Sequence, residues 1–335
     1  MTTIIDVAKA ANVSPSTVSR VIADHPRISV KTKRKVRQVM EELSYYPNVQ
    51  ARNLAAKKTQ MIGIVMGYSA MFAFQNPFFP EVIRGISATA YANKYGIALS
   101  TSNTEEELLE EIISMVQSKR VDGLILLYAK ENDPLVDYLL KKKFPFVVVG
   151  TPDKDQDLID FIDNDNVALA ENIVDYLVSL GHEQIAFVGG NLQYGVTRDR
   201  VKGYEVSHKK HGLPINKKYF QYGVDNYEEL LKNILVLKNR PTAILTQDDL
   251  IAYELITLLE QWEISVPEDI SVISINNHTV SGLMRPALTT VEIHIFELGR
   301  KAAELLCQRI EHPEIPAQHA YVDTELIIRQ SCAKR

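Results

Sequence analysis

The sequence predicts an all-α head joined to an α/β body of parallel strands and connecting helices. Three observations carry that expectation: a charge divide near residue 60, a helix-turn-helix pattern before it, and a regular alternation of apolar runs and helices after it. Residues 1–60 hold 11 Lys and Arg against 4 Asp and Glu, a net of +7, and the remaining 275 hold 26 against 38, a net of −12. A whole-chain charge of −5 conceals this division. A polyanion responds to the local field of the basic head, so DNA is the first partner to consider.

Ile4, Ile5, Val7, Ala8 and Ala11 share one face of a helix that should break near Asn12, a residue tolerant of left-handed backbone. A second helix restarts at Pro15, whose missing N–H costs nothing at a first helical position, with Ser14 placed to cap it through Ser16 or Thr17. Val18, Val21 and Ile22 face inward, leaving Pro15, Ser16, Ser19 and Arg20 outward, where such a helix meets base edges and phosphates in a major groove. Ser14, Pro15, Ser16, Thr17, Ser19 and Arg20 are therefore the candidate DNA contacts of the head. A third helix is expected from about Lys31 to Ser44, with Val36, Val39, Met40 and Leu43 apolar and Lys31, Lys33, Arg34, Lys35 and Arg37 either solvated or near phosphate. After Pro47 the Ala-rich stretch Asn48 to Lys58 reads as a short helix with no core of its own, marginal in isolation and able to order on binding.

From about Met61 short apolar runs alternate with helical stretches, the pattern of parallel strands joined by helical crossovers. Strands are expected at Met61 to Met66, Ile97 to Thr101, Gly123 to Leu127, Phe146 to Val149, Ile185 to Val188, Ala243 to Thr246 and Ile270 to Ile275. Helices fall near Glu81 to Lys94, Glu105 to Ser118, Asn166 to Leu180, Arg200 to His211, Asn226 to Leu237 and Asp249 to Trp262, with Gly96, Gly181 and Gly212 as stops. About 275 residues of this pattern exceed one typical domain and divide naturally into two lobes.

Ile5-Asp6-Val7-Ala8, the segment Val13-Ser14 to Arg20-Val21, Tyr46-Pro47-Asn48 and Ala51-Arg52-x-Leu54 together resemble the DNA-binding head and hinge of the lactose-repressor and galactose-repressor family of bacterial transcription regulators. The resemblance runs to the end of the chain. It implies a helix-turn-helix head over 1–47, a hinge over 48–60, and two lobes like those of periplasmic binding proteins, with helices on both faces of parallel sheets. One lobe would span 61–161 and about 289–320, the other 162–288 and about 321–335, the chain crossing near Phe161, Leu288 and Tyr321. It also implies a homodimer on a pseudo-palindromic operator, with Asn48 and Arg52 in the hinge and Leu54 wedged into a central minor-groove step, bending the duplex at the expense of stacking. Without that context Leu54 would read as an ordinary packing leucine.

Such a body binds its effector between lobes, at the carboxyl ends of strands. The resemblance makes Arg200 the effector-holding arginine, whose planar fork suits vicinal hydroxyls. Asp248 falls where many relatives have asparagine, and Asn276 where most have aspartate, so a carboxylate and an amide exchange places across the cleft. Each of the three could instead cap a strand-end loop. Phe72 and Phe74, in a long aromatic stretch after the first body strand, read equally as platforms for a pyranose ring or as core, whereas Phe78 and Phe79 read as core. This stretch, with Phe161 to Val167 and Val196 to Tyr204, is most similar to the maltose-operon repressors of the family, so maltose or a maltodextrin is the implied effector.

No signal-peptide stretch and no run of eighteen apolar residues occurs, which predicts a cytoplasmic protein without membrane partners. Cys307 and Cys332 have no metal-ligand spacing, the histidines form no cluster, and the glycines are too sparse for a nucleotide loop, so neither metal nor cofactor is expected. No nucleophile with its base is visible, against an enzyme acting on a sugar phosphate. The alternative to a repressor is a carbohydrate-binding protein of transport type, which would leave the basic head without a use.

Overall fold

A computed structural model describes residues 2–46, 58–67, 70–223 and 226–335, the side chains of 70–72 excepted. The chain divides into two compact units, Met1–Thr59 and Gln60–Arg335.

Among the described residues the head has three helices, α1 (Ile4–Ala10), α2 (Pro15–Ile22) and α3 (Val30–Glu42). Thr3 and Asp6 open α1 with a reciprocal capping box, Asn12 turns the chain at φ 49°, and Ser14 Oγ accepts from Thr17 N at 3.2 Å to start α2 with Pro15 in its first turn. Val7, Ala8, Ala11, Val18, Val21, Val36 and Val39 are the buried core. Ile5, expected on the inner face of α1, is 52% exposed, whereas Val7 is fully buried and Ile4 packs against the core.

In the body, β1 (Met61–Val65), α4 (Ala70–Gln75), α5 (Phe78–Ala92), β2 (Gly96–Leu99), α6 (Glu105–Gln117), β3 (Gly123–Leu126), α7 (Pro134–Lys142), β4 (Phe146–Val149) and β5 (Asp160–Asp163) lead into α8 (Asn166–Ser179). Then follow β6 (Ile185–Val188), α9 (Gly195–Lys210), β7 (Phe220–Gln221), α10 (Tyr227–Leu235), β8 (Ala243–Thr246), α11 (Asp249–Gln261), β9 (Ser271–Ile275), β10 (Thr289–Glu292), α12 (Ile295–Glu311), β11 (His319–Tyr321) and β12 (Glu325–Ile327). Gly181 and Gly212 take left-handed φ after their helices, but the turn after α5 is made at Lys94 (φ 62°), while Gly96 already belongs to β2.

Two six-stranded sheets result, ordered β11-β5-β4-β3-β1-β2 and β12-β10-β9-β8-β6-β7. All pairings are parallel except β10 with β12. Alternation along each strand feeds a core on either face: Ile62, Ile64 and Ile125 meet Val82, Ile86 and Leu298 of α5 and α12, while Leu124, Leu126 and Val148 meet Ile112 and Leu139 of α6 and α7. Helices α5 and α12 touch backbone to backbone, since a Cβ on Gly299 would stand 2.0 Å from Val82 O.

The chain crosses between lobes at residues 164–165, 293–294 and 322–324. These points correct the expected boundaries: Asp160–Asp163 is a complete strand of the first sheet, and Thr289–Glu292 belongs to the second. Acidic residues hid β5 from the pattern, yet both are matched inside the fold, Asp160 by Arg309 Nε at 2.6 Å and Gln318 N at 2.7 Å, and Asp163 by Thr151 N at 2.8 Å and Asn166 Nδ2 at 2.9 Å. Buried Asn164 ties the three crossings together, its Nδ2 donating to Ile293 O at 3.1 Å and Val322 O at 2.9 Å.

Candidate DNA-binding head and effector cavity

On the head, Ser14, Pro15, Ser16, Ser19 and Arg20 are exposed, and Arg20 has no ion pair among the described residues. Ser14 is occupied as a cap, its Oγ lying 2.8 Å from Ser16 Oγ and 2.9 Å from Thr17 Oγ1. Two of the α3 cations are not free: Lys33 Nζ and Arg37 Nη2 sit 2.9 and 2.7 Å from Asp24, whose carboxyl they hold below its ordinary pKa. Lys31, Arg34 and Lys35 remain exposed on the same helix. Asn48, Arg52 and Leu54 lie outside the described residues.

In the body, a cavity of about 250 Å³ opens between the carboxyl ends of the two sheets. Its polar wall begins at Asp163, the last residue of β5, whose carboxylate accepts from Thr151 N (2.8 Å), Thr151 Oγ1 (2.9 Å), Asn164 N (2.8 Å) and Asn166 Nδ2 (2.9 Å). Helix α9 approaches the start of α8 closely because position 203 is glycine: a Cβ there would lie 2.1 Å from Val167 O. That contact brings Arg200, 5% exposed, to donate from Nε to Asn166 Oδ1 (3.0 Å) and from Nη1 to Gln247 O (2.7 Å). Burial pushes the Arg200 guanidinium down to about 10 and the Asp163 carboxyl up to about 6, each tempered by the opposite charge of the other. Burial likewise raises Asp248, the N-cap of α11.

The lobes meet across this space. Asn76 Nδ2 donates to Asp248 Oδ2 at 3.2 Å, and the amide orientation is set because Asn76 Oδ1 accepts from Phe78 N. On the other flank Gly195 N donates to Ala129 O and Glu131 N to Gln193 O, both at 3.0 Å, with Tyr194 Oη donating to Gly67 O and Arg198 paired with Asp153. The second lobe contributes the polar side chains of Thr197, Arg200, Gln247 and Asn276 to the wall, and of these Arg200 already donates to Asn166 and to the Gln247 carbonyl. The first lobe adds apolar and aromatic wall from Phe78, Phe79, Leu127 and Tyr128. A ligand with one hydrogen-bonding edge and one apolar face matches this division.

Arg200, Asp248 and Asn276 all line the cavity. Phe74 does not: it is 50% exposed and lines an adjoining groove with Pro77 and Phe296, while the Phe72 side chain lies outside the described residues. Phe78 and Phe79 are core as expected, Phe79 buried and Phe78 packed against the same cluster, and they also form the aromatic wall of the cavity at the start of α5. Sequence reasoning passed over Asp163, Asn166, Thr197 and Gln247; all stand at or just after strand ends or in the first turns of helices, the positions that open-sheet topology assigns to ligands. Among the described residues no group of side chains suited to a metal ion and no helix long and apolar enough to cross a membrane is present.

Residues 3–48 match the family of bacterial regulatory proteins of lacI type, and residues 174–332 match a periplasmic binding protein-like domain. The chain is 39% identical over 326 residues to the transcriptional regulator MalR of Streptococcus pneumoniae, covering 95% of this chain and 96% of that protein. It is 40% identical, with a TM-score of 0.81, to a structure described as a LacI transcriptional regulator from Bacillus cereus subsp. cytotoxis, over 83% of this chain and all of that one. A structure described as a maltose operon transcriptional repressor from Staphylococcus is 28% identical with a TM-score of 0.75, over 82% of this chain and 98% of that one.

Proposed function

The chain belongs to the lacI family of bacterial regulatory proteins, and from that premise we propose that this transcriptional repressor controls maltose or maltodextrin utilisation genes in the cytoplasm, with the sugar bound between its lobes. The observation that carries the sugar reading is the amphipathic cavity, with second-lobe hydrogen-bonding groups facing first-lobe aromatic rings. Arg200, Asp248 and Asn276 hold ligand hydroxyls, and Phe78 and Phe79 form the apolar face. A ring with equatorial hydroxyls and axial C–H bonds presents both characters at once, which suits glucose units.

Two heads of a homodimer read a pseudo-palindromic site, with Ser16 and Arg20 in the major groove and Leu54 in the minor groove. Every phosphate that a basic side chain neutralises steepens the salt dependence of binding. The sugar stabilises one arrangement of the lobes about the Asn164 crossing, the hinge segments lose their mutual fit, and operator affinity falls. Fluorescence anisotropy of an operator duplex tests this: salt-dependent binding released by maltose is expected, and a chain that binds the duplex with no response to maltose, maltotriose or glucose would remove the sugar from the account.

A further inference from the structure

We propose that Gln247 is a specificity-determining residue of the cavity, its side-chain oxygen accepting a hydrogen bond from a neutral hydroxyl of the effector. This rests on the sugar reading above. Gln247 follows β8, and its backbone is fixed at both ends: its N donates to Val188 O at 2.9 Å and its O accepts from Arg200 Nη1 at 2.7 Å. The side-chain Oε1 is buried in the cavity wall with no hydrogen-bond partner among the described residues. The contrast with its surroundings is specific, since the amides of Asn76, Asn164 and Asn166 and the carboxylate of Asp163 are all engaged by protein groups.

Gly190, whose φ is +76°, packs against this oxygen. A Cβ there would lie 3.1 Å from Gln247 Oε1 and 2.6 Å from Thr197 Oγ1, so glycine is required on both conformational and steric grounds. An acceptor held rigidly, desolvated and left unpaired weakens the empty protein and strengthens any ligand that supplies the missing donor. The donor is a hydroxyl and not an ammonium group, because the Arg200 guanidinium bonded to the same residue's carbonyl repels a second cation.

The opposing signs of those two effects give the test. Gln247→Met keeps the length of the side chain and deletes the acceptor. In the full chain the melting temperature without ligand is expected to hold or rise, while calorimetric titration shows maltose binding about tenfold more weakly. Repeating the titrations with singly deoxygenated maltoses locates the donor: for one derivative, wild type and variant are expected to bind alike. Wild-type affinity for maltose retained by the variant overturns the assignment of Gln247 and leaves the sugar reading intact. A variant with a lowered melting temperature and the same affinity loss against every derivative shows a merely structural role and also overturns it. A wild type that gives no saturable heat with maltose overturns the sugar reading, and this inference with it.

Discussion

Replacing Arg200 by methionine separates ligand recognition from folding, and the structure indicates how far. The substitution keeps the apolar stem inside α9 and removes the fork that donates to Asn166 Oδ1 at 3.0 Å and Gln247 O at 2.7 Å. Each bond from a charged donor is worth about 1.5–3 kcal/mol. Against that, a guanidinium pushed down to about 10 by burial is kept charged at a cost of roughly 3 kcal/mol, which its removal returns. The two contributions largely cancel, so the body should lose only about 1–2 kcal/mol and its melting temperature a few degrees. No such return accompanies the ligand, which loses a charged partner in a desolvated wall, so maltose affinity should fall about 10- to 150-fold. Operator anisotropy with a maltose titration reads the result: normal binding of the duplex without sugar, and a release midpoint moved upward by that factor. An unchanged midpoint refutes the placement of Arg200 at the ligand, and a large fall in melting temperature refutes the cancellation.

Other perturbations test separate links. The folded pKa of Asp163, about 6, lies above its unfolded value, so its contribution to stability is complete below about pH 4 and is lost as pH rises through 6. The unfolding free energy of wild type relative to Asp163→Asn should therefore increase by about 1 kcal/mol from about pH 7 to pH 5, buried His182 and His208 cancelling in the difference; a flat profile contradicts the burial argument. Ser14→Ala removes the cap on Thr17 N and should lower head stability by about 1 kcal/mol in thermal melts, weakening operator binding in proportion. Leu54→Ala should weaken operator binding at least about tenfold while leaving calorimetric maltose affinity unchanged; operator affinity equal to wild type would remove Leu54 from the minor groove.

What was legible follows from where local rules and tertiary demands agree. Ser14 and Pro15 start α2, Asn12 turns before it, and Phe146–Val149, Ile185–Val188 and Ala243–Thr246 coincide with their apolar runs, because a strand buried on both faces needs an unbroken apolar segment. Strand β5 was missed because Asp160 and Asp163 break its apolar run; their compensation by Arg309, Thr151 and Asn166 comes from residues near or far in sequence that no periodicity reveals. Helix α9 begins five residues before the expected Arg200 because Gly195 and Thr197, poor helix formers, are held in its first turn by the link from Gly195 N to Ala129 O across the cleft. The site was half visible for the same reason. Arg200, Asp248 and Asn276 sit at strand ends or on the face that resemblance identifies, whereas the choice of Phe78 and Phe79 over Phe74 depends on where α5 starts.

Calorimetric titration of the full chain with maltose, alone and saturated with operator duplex, tests the reciprocity between sugar and operator. Saturable heat is expected in both, with maltose binding weakened by operator by the same factor that maltose weakens operator binding. Equal maltose affinity in the two titrations, or no saturable heat in the free chain, would contradict it.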